Sequence, residues 1–415
     1  MTIRGRCVVK YPKMEKFEDY MKEKYRKINY IALLLIMLIL ILLAGGCMRA
    51  PQKGEPGGEG PAVVTIWHSL SGKEETAFET ELNKELEGHP EVIVKLKYVQ
   101  EEDFVSQVYQ AEAGGQGPHI FLTSRSVLYQ LQKKGALAPA ADTTSSAFPA
   151  AAAQFRFNGT IYAQPWLANV PVLYFRRDTV QAPNNLADLM AKGVAVASVD
   201  TQILAPLWLA QGGGVWDGKA PVLNKTENLT FLQQLATWKS QNQLQVNSNA
   251  LALFTGGQVN YLIGPTGWAA VLAQQGAFWA SIPLTDLVAP EQRVLLGETL
   301  GIANSAIKSQ EAILPSIRLV EQLILGIDME NAVATAGKRL PLNPDFYGTD
   351  GGKAFPYMSQ VLNNAWVLEG DAPEWQLFAL QNEAWNQVLN GAVAADQALN
   401  DAQEKGQQAL NGQKS

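Results

Sequence analysis

From residue 62 onward, short apolar runs rich in β-branched residues alternate with segments of helical period, and this alternation sets the class of fold. Ala62–Trp67 (AVVTIW) has the length and composition of a buried strand. Ser71-Gly72-Lys73-Glu74 carries the spacing of a capping box, in which the first side chain and the fourth satisfy each other's backbone N–H. Phe78, Leu82 and Leu86 follow at four-residue intervals, which puts them on one helix face. Val92, Val94, Leu96 and Tyr98 alternate as a second strand, a helix is predicted over about 102–113, and Ile120–Leu122 is a third strand after the Gly114–Pro118 break. Strand–helix–strand–helix–strand predicts an α/β fold with a largely parallel sheet. A second series (Val170–Phe175, Val194–Val199, Val259–Ile263) has helical segments between its runs, and the chain from about 305 is mostly helical. No period of 20–50 residues recurs, so the chain is not a repeat array. The pattern alone therefore predicts two α/β lobes with helical additions.

Ahead of this body, residues 28–47 (INYIALLLIMLILILLAGGC) are an apolar stretch ending on Cys47, preceded by Lys22, Lys24, Arg26 and Lys27. Basic flank, apolar core and small residues is the order of an export signal. Leu43-Ala44-Gly45-Gly46-Cys47 resembles a bacterial lipobox, with Ala44 where Leu is commoner; the resemblance implies that Cys47 is acylated and becomes the new N-terminus. The alternative is an uncleaved anchor, since about 19 apolar residues span a bilayer. Both tether the body to the outer face of a membrane. Residues 1–46 are thus read as leader, with Met21 as its natural start and 1–20 as an upstream extension. Residues 47–61 are read as the lipidated Cys and a Gly- and Pro-rich flexible linker.

Charge and cysteine usage remove several functions. Residues 1–46 carry nine Lys/Arg against four Asp/Glu, and the remainder carries 24 against 35. An acidic body argues against nucleic acid, whose phosphates require a concentrated basic surface. Cys7 and Cys47 are the only cysteines, so the exported body has no disulfide, zinc cluster or thiol nucleophile. His68, His89 and His119 are not at ligand spacing, and neither a metal nor another cofactor is expected. Gly114-Gly115-Gln116-Gly117 lacks phosphate-loop spacing and precedes a strand, so it reads as a turn, and Gln211–Gly214 reads as a helix stop. His68-Ser69 beside scattered Asp residues forms no nucleophile elbow.

All ten Trp residues lie in the body. Trp67, Trp166, Trp268 and Trp366 fall at predicted element ends, whereas Trp208, Trp216, Trp238, Trp279, Trp375 and Trp385 read as core. A flat aromatic platform beside short polar side chains suits a sugar, which has apolar C–H faces and a hydroxyl rim.

Several stretches, in order, resemble one family. They are Val64–His68, Gly117-Pro118-His119-Ile120-Phe121 (with His119 where the family has Asp), Phe157–Pro165, Leu173–Asp178 with Ala182-Pro183, Ile263–Trp268, Phe355–Met358 and Leu399–Gln403. The family is the carbohydrate-type extracellular solute-binding proteins of ABC importers, typified by maltose-binding protein, and the similarity spans about residues 62–410. It implies an α/β two-lobe periplasmic-binding-protein fold, each lobe a mainly parallel sheet flanked by helices, with a hinge near Ala168–Val172 and Leu295–Gly301. The implied lobes are 62–168 plus 300–350 and 169–299 plus 351–412. The implied ligand contacts are Trp67, His68, Ser69, Ser124, Arg125, Ser126, Asn169, Asp200, Gln202, Trp268, Glu298 and Trp366, with Thr266 in place of a further stacking Trp. The expected protein is a non-enzymatic monomer that captures a sugar or oligosaccharide and delivers it to ABC permease subunits. It works on the extracellular face of the cell membrane (the periplasmic side where an outer membrane exists). The alternatives are the same fold holding a polyamine, a metal chelate or glycerol phosphate, and a secreted hydrolase.

Overall fold

The computed structural model describes residues 60–140, 147–288, 293–306, 308–355 and 357–412, so the leader, the Cys47 lipid site and nearly all of the linker lie outside the described residues. The chain opens with β1 (Ala62–His68), α1 (Lys73–Leu86), β2 (Val92–Tyr98), α2 (Glu101–Ala113), β3 (Ile120–Ser124) and α3 (Arg125–Lys133). Helix α4 (Pro149–Gln154) and the hairpin β4 (Arg156–Phe157) and β5 (Thr160–Ile161) lead to β6 (Gln164–Ala168) and β7 (Pro171–Arg176). Next come α5 (Leu186–Lys192), β8 (Val194–Val196), α6 (Thr201–Leu209), α7 (Thr226–Ser240), β9 (Leu244–Val246) and α8 (Ala250–Thr255). They are followed by β10 (Tyr261–Pro265), α9 (Trp268–Gln275), β11 (Trp279–Pro283), β12 (Thr299–Asn304), α10 (Leu314–Ile324), α11 (Ile327–Gly337) and β13 (Leu340–Pro341). Helices α12 (Met358–Asn363), α13 (Glu374–Leu389) and α14 (Ala395–Gly412) finish the chain.

Apart from the two-stranded β4-β5 hairpin, the described strands form two sheets, one per lobe, ordered β13-β6-β12-β3-β1-β2 and β11-β7-β10-β8-β9. The α/β two-lobe architecture is the one expected, but the sheets are mixed, not mainly parallel. Parallel pairing is confined to β2-β1-β3 and β9-β8-β10, while β12, β6 and β13, and likewise β7 and β11, pair antiparallel to their neighbours. For β7 and β12 the cause is the chain's crossing. A strand arriving from the other lobe starts at the end where β1, β3, β8 and β10 finish, so it must run against them.

Two crossings lie side by side. Asn169-Val170 carries the chain from β6 to β7, and residues 284–298 return it from β11 to β12. The Asn169 N–H donates to Glu298 O at 3.2 Å, and the Gly297 N–H donates to Asn169 O at 2.9 Å. A third crossing follows α12. Phe355 packs against Phe346 at 6.1 Å, and α12 packs against α4, while Met358, Leu362 and Ala365 join a cluster drawn from both lobes. Beyond it, Leu368, Leu377 and Phe378 belong to the cluster under β8 and α7.

The capping box does not form. Gly72 is the residue before α1, at φ 61°, and no side chain caps the helix. Glu74 turns instead to Arg339 at 2.6 Å. A buried guanidinium recruits a carboxylate more strongly than one backbone N–H does.

Candidate functional site

A cavity of about 260 Å³ opens where the crossings meet the second sheet, lined by Asn169, Val170, Pro171, Ser198, Asp200, Gln202, Ile203, Pro265, Gly297 and Glu298. It lies at the carboxyl ends of β8 and β10, where α/β sheets present their loops to ligands. Asp200 is the N-cap of α6: one carboxylate oxygen accepts from the Gln202 N–H at 2.7 Å and the Ile203 N–H at 3.3 Å. Its other oxygen accepts from Asn382 Nδ2 at 2.9 Å, and Asn382 Oδ1 accepts from the Thr201 N–H. Both Asp200 oxygens are therefore held by hydrogen bonds, with Gln202 two residues further on lining the same cavity. Asn169 is 8% exposed, and its side-chain oxygen accepts from Thr266 Oγ1 at 3.1 Å and the Gly267 N–H at 2.9 Å.

On the first lobe's side, Arg339 Nε meets Glu74 at 2.6 Å and Nη1 meets Glu298 at 3.2 Å. Burial alone would lower the Arg339 pKa, but the two carboxylates outweigh it and raise it. Burial pushes the Glu101 carboxyl up, opposed by a hydrogen bond with Ser124 and reinforced by the charge of Glu298. Ser124 caps α3, accepting from the Val127 N–H, and Ser126 is exposed one residue into that helix's first turn. Arg125 spans the lobes: its guanidinium lies 4.0 Å from the Trp375 ring centroid, and Nη1 donates to Gly370 O at 2.8 Å. Burial lowers its pKa to about 10, so it stays a cation at neutral pH.

The remaining expected contacts sit elsewhere. Trp67 is 5% exposed, edge-on to Phe104 at 6.5 Å and under Lys97 Nζ at 3.7 Å, a core side chain and not a platform. His68, 1% exposed, lies between Phe78 and Tyr98, and burial lowers its pKa. Ser69 shares a hydrogen bond with Thr123 at 2.9 Å. Trp268 folds back over Gly264, where a Cβ would meet its ring at 2.2 Å, and Trp366 packs edge-on to Phe378 at 5.7 Å. Trp166 is fully buried. The structure thus gathers Asn169, Asp200, Gln202 and Glu298 at one cavity, holds Ser124 and Arg125 on the facing lobe, and places Trp67, His68, Trp268 and Trp366 in packing roles.

Sequence reasoning missed Asn382, Arg339 and Trp375. Asn382 reaches Asp200 from 182 positions away and Arg339 reaches Glu74 from 265, so no local spacing announces either. Trp375 reads as core by composition, and only its partner Arg125 marks it. Among the described residues no group of three or more His, Cys, Asp or Glu is placed to hold a metal, and no helix is long and apolar enough to cross a membrane.

Two α/β lobes joined by paired crossings, with a polar cavity where the crossings meet the second sheet, define a solute-binding architecture. The chain belongs to the family described as bacterial extracellular solute-binding protein, whose model matches residues 77–358. No curated protein matches it in sequence. Among solved structures it is similar in fold to the maltose/maltodextrin-binding domain MalE of Bdellovibrio bacteriovorus bound to maltotriose (TM-score 0.69, 18% identity, 84% of this chain and 100% of that one). It is also similar to the GacH receptor of Streptomyces glaucescens, solved unliganded and with acarbose (TM-score 0.69, 18% identity, 83% and 97%). A third is an extracellular solute-binding protein of Staphylococcus aureus in complex with maltose (TM-score 0.68, 15% identity, 85% and 98%).

Proposed function

We propose that the protein is the extracellular sugar receptor of an ABC importer: it captures a sugar or oligosaccharide between its lobes and delivers it to the permease, with no catalytic step. The observation that carries this reading is the state of the cavity's charges. Asp200 has both oxygens hydrogen-bonded and Glu298 is paired with Arg339, so the two carboxylates are already engaged, and with the amides of Asn169 and Gln202 they line a polar cavity that has no cation of its own. A neutral polyol fits such a lining. A polyamine calls for free carboxylates and glycerol phosphate for free cations. The ligands named for the similar folds (maltotriose, acarbose and maltose) agree with this class. The moving bodies in this reading are 62–168 with 300–350 and 169–299 with 366–412. Residues 351–365 travel with the first body in this reading, because Phe355 packs on Phe346 and α12 on α4, in place of the boundary expected at 351. Acylation at Cys47 tethers the receptor beside its permease, which raises the effective concentration of loaded cleft.

The test is a thermal-shift panel on the full chain, covering mono- and oligosaccharides, polyamines and glycerol phosphate. At least one saccharide is expected to raise the melting temperature, by binding linkage, and Asp200→Ala to remove that rise. A rise with polyamines or glycerol phosphate alone, or release of a cleaved glycoside, defeats the reading. The tether is checked separately: Cys47→Ser is expected to abolish palmitate incorporation.

A further inference from the structure

Helix α13 touches both lobes beside the cleft. Asn382 holds Asp200 of the second lobe at 2.9 Å, and Trp375, two turns earlier, faces Arg125 of the first, with 4.0 Å from ring centroid to guanidinium. Positions so spaced share a helix face, and two turns span about 11 Å. The segment leading into the helix is seated on the first lobe. The Gly370 N–H donates to Arg156 O at 3.0 Å, its carbonyl accepts from Arg125 Nη1 at 2.8 Å, and Asp371 accepts from the Asn158 N–H at 2.7 Å. A Cβ at Gly370 would meet the Phe157 ring at 2.2 Å and Gln154 O at 2.3 Å, so only glycine lets the backbones approach this closely. Together these contacts form a clasp between the lobes. It stands beside the cavity, because Arg125 follows Ser124, which pairs in register with Leu300, just after the cavity residue Glu298.

The space beside the clasp is small and lacks a platform. Clefts that bury drug-sized ligands hold roughly 300–1,000 Å³, whereas this one holds about 260 Å³. The paired crossings at Asn169 and Gly297 form one of its walls, and no aromatic side chain lines it. The Trp375 ring, two helical turns from the residue that holds Asp200, is covered by Arg125. A further sugar ring gains affinity by laying its apolar face on an aromatic one, and here that face is taken. Lengthening the ligand toward the start of α13 therefore requires breaking the Arg125 contacts, a cost set against whatever the extra ring gains. We propose that the clasp sets ligand length: the cleft takes one or two sugar residues, and a third is excluded at the Arg125–Trp375 contact. This size limit rests on the sugar-receptor reading and narrows it to short saccharides.

The test is isothermal titration calorimetry on the full chain in detergent. The probes are the malto-, cello- and xylo-oligosaccharides, each series running from mono- to tetrasaccharide. At least one series is expected to bind, with affinity falling about tenfold or more at or before the third residue. Trp375→Ala and, separately, Arg125→Gln are expected to raise affinity for the first rejected length, relative to the last accepted one, by about tenfold. The ratio is read because either variant can also change both affinities together. The two residues stand on opposite lobes, so agreement between the variants rules out a local folding defect as the cause. A trisaccharide bound by the unaltered protein as tightly as the disaccharide, or a ratio that either variant leaves unmoved, overturns the size limit and leaves the receptor reading standing. No binding in any series, to the unaltered protein or to either variant, overturns both.

Discussion

At the scale of single residues, the site is built by side chains that serve the backbone. Asn169 accepts from Thr266 and Gly267 while its own backbone ties the two crossings together. Asn169→Ala leaves a buried hydroxyl and a buried N–H without their acceptor, and is expected to cost about 1–3 kcal/mol in urea unfolding. A loss below about 0.5 kcal/mol would mean that water or relaxation replaces the amide. His119 shows how a departure from the family pattern is absorbed. Its Nδ1 accepts from the Thr65 N–H at 2.9 Å, the role an Asp oxygen can play, and burial lowers its pKa. Trp67 was legible as a tryptophan at a strand end, but not by the face it occupies. Neighbours on a strand point to opposite sides, and only the register of β1 against β3 decides which side meets α2.

At the scale of elements, the helix starts facing the cleft are capped by residues that also build the site. Asp200→Ala is expected to destabilise α6 by about 1 kcal/mol through loss of its cap, beyond any effect on sugar, whereas Asp200→Asn keeps most of that stability. Calorimetric melting of the sugar-free protein separates the two. Helix α11 carries a different burden. Glu330 is 1% exposed, with one oxygen lacking a hydrogen-bond partner, and burial pushes its carboxyl to about 8. A folded-state pKa above the unfolded one means that the folded protein holds the extra proton. Stability from this group is therefore complete below the ordinary glutamate range and falls as pH rises toward 8, by up to about 1.4 kcal/mol per pH unit. Glu330→Gln is expected to flatten that slope, raising the melting temperature at pH 8 while changing it little at pH 4. An unchanged slope would assign the pH dependence elsewhere. The helices themselves were largely readable from spacing. The missing capping box at Ser71 was not, because its Glu was claimed by a guanidinium that arrives late in the chain.

At the scale of the molecule, what matters is how the lobes are held. Arg125 reaches from α3 to Trp375 on α13 and to Gly370, while Asp371 accepts from the Asn158 N–H of the β4–β5 hairpin at 2.7 Å. A half-buried cation–π contact and a charged hydrogen bond together amount to about 1–2 kcal/mol. Arg125→Ala is thus expected to weaken sugar binding by about 5- to 30-fold without direct loss of a sugar contact, and to enlarge the radius of gyration of the sugar-free protein in X-ray scattering. Weaker binding with unchanged dimensions would make Arg125 a ligand contact instead of a latch.

By itself the sequence determined the alternation of strands and helices and the two-lobe class, because each depends on local period and on the order of elements; the positions of the crossings came from the resemblance to the solute-binding family. The same resemblance, not period or spacing, pointed to Asn169, Asp200 and Gln202 as cleft residues. Only the tertiary structure decided which tryptophans are core, that Asp200 is held by Asn382, and that Glu74 and Glu298 share Arg339. Those facts are pairings between residues far apart in the chain, and their energies come from burial and charge compensation that exist only once the lobes are assembled.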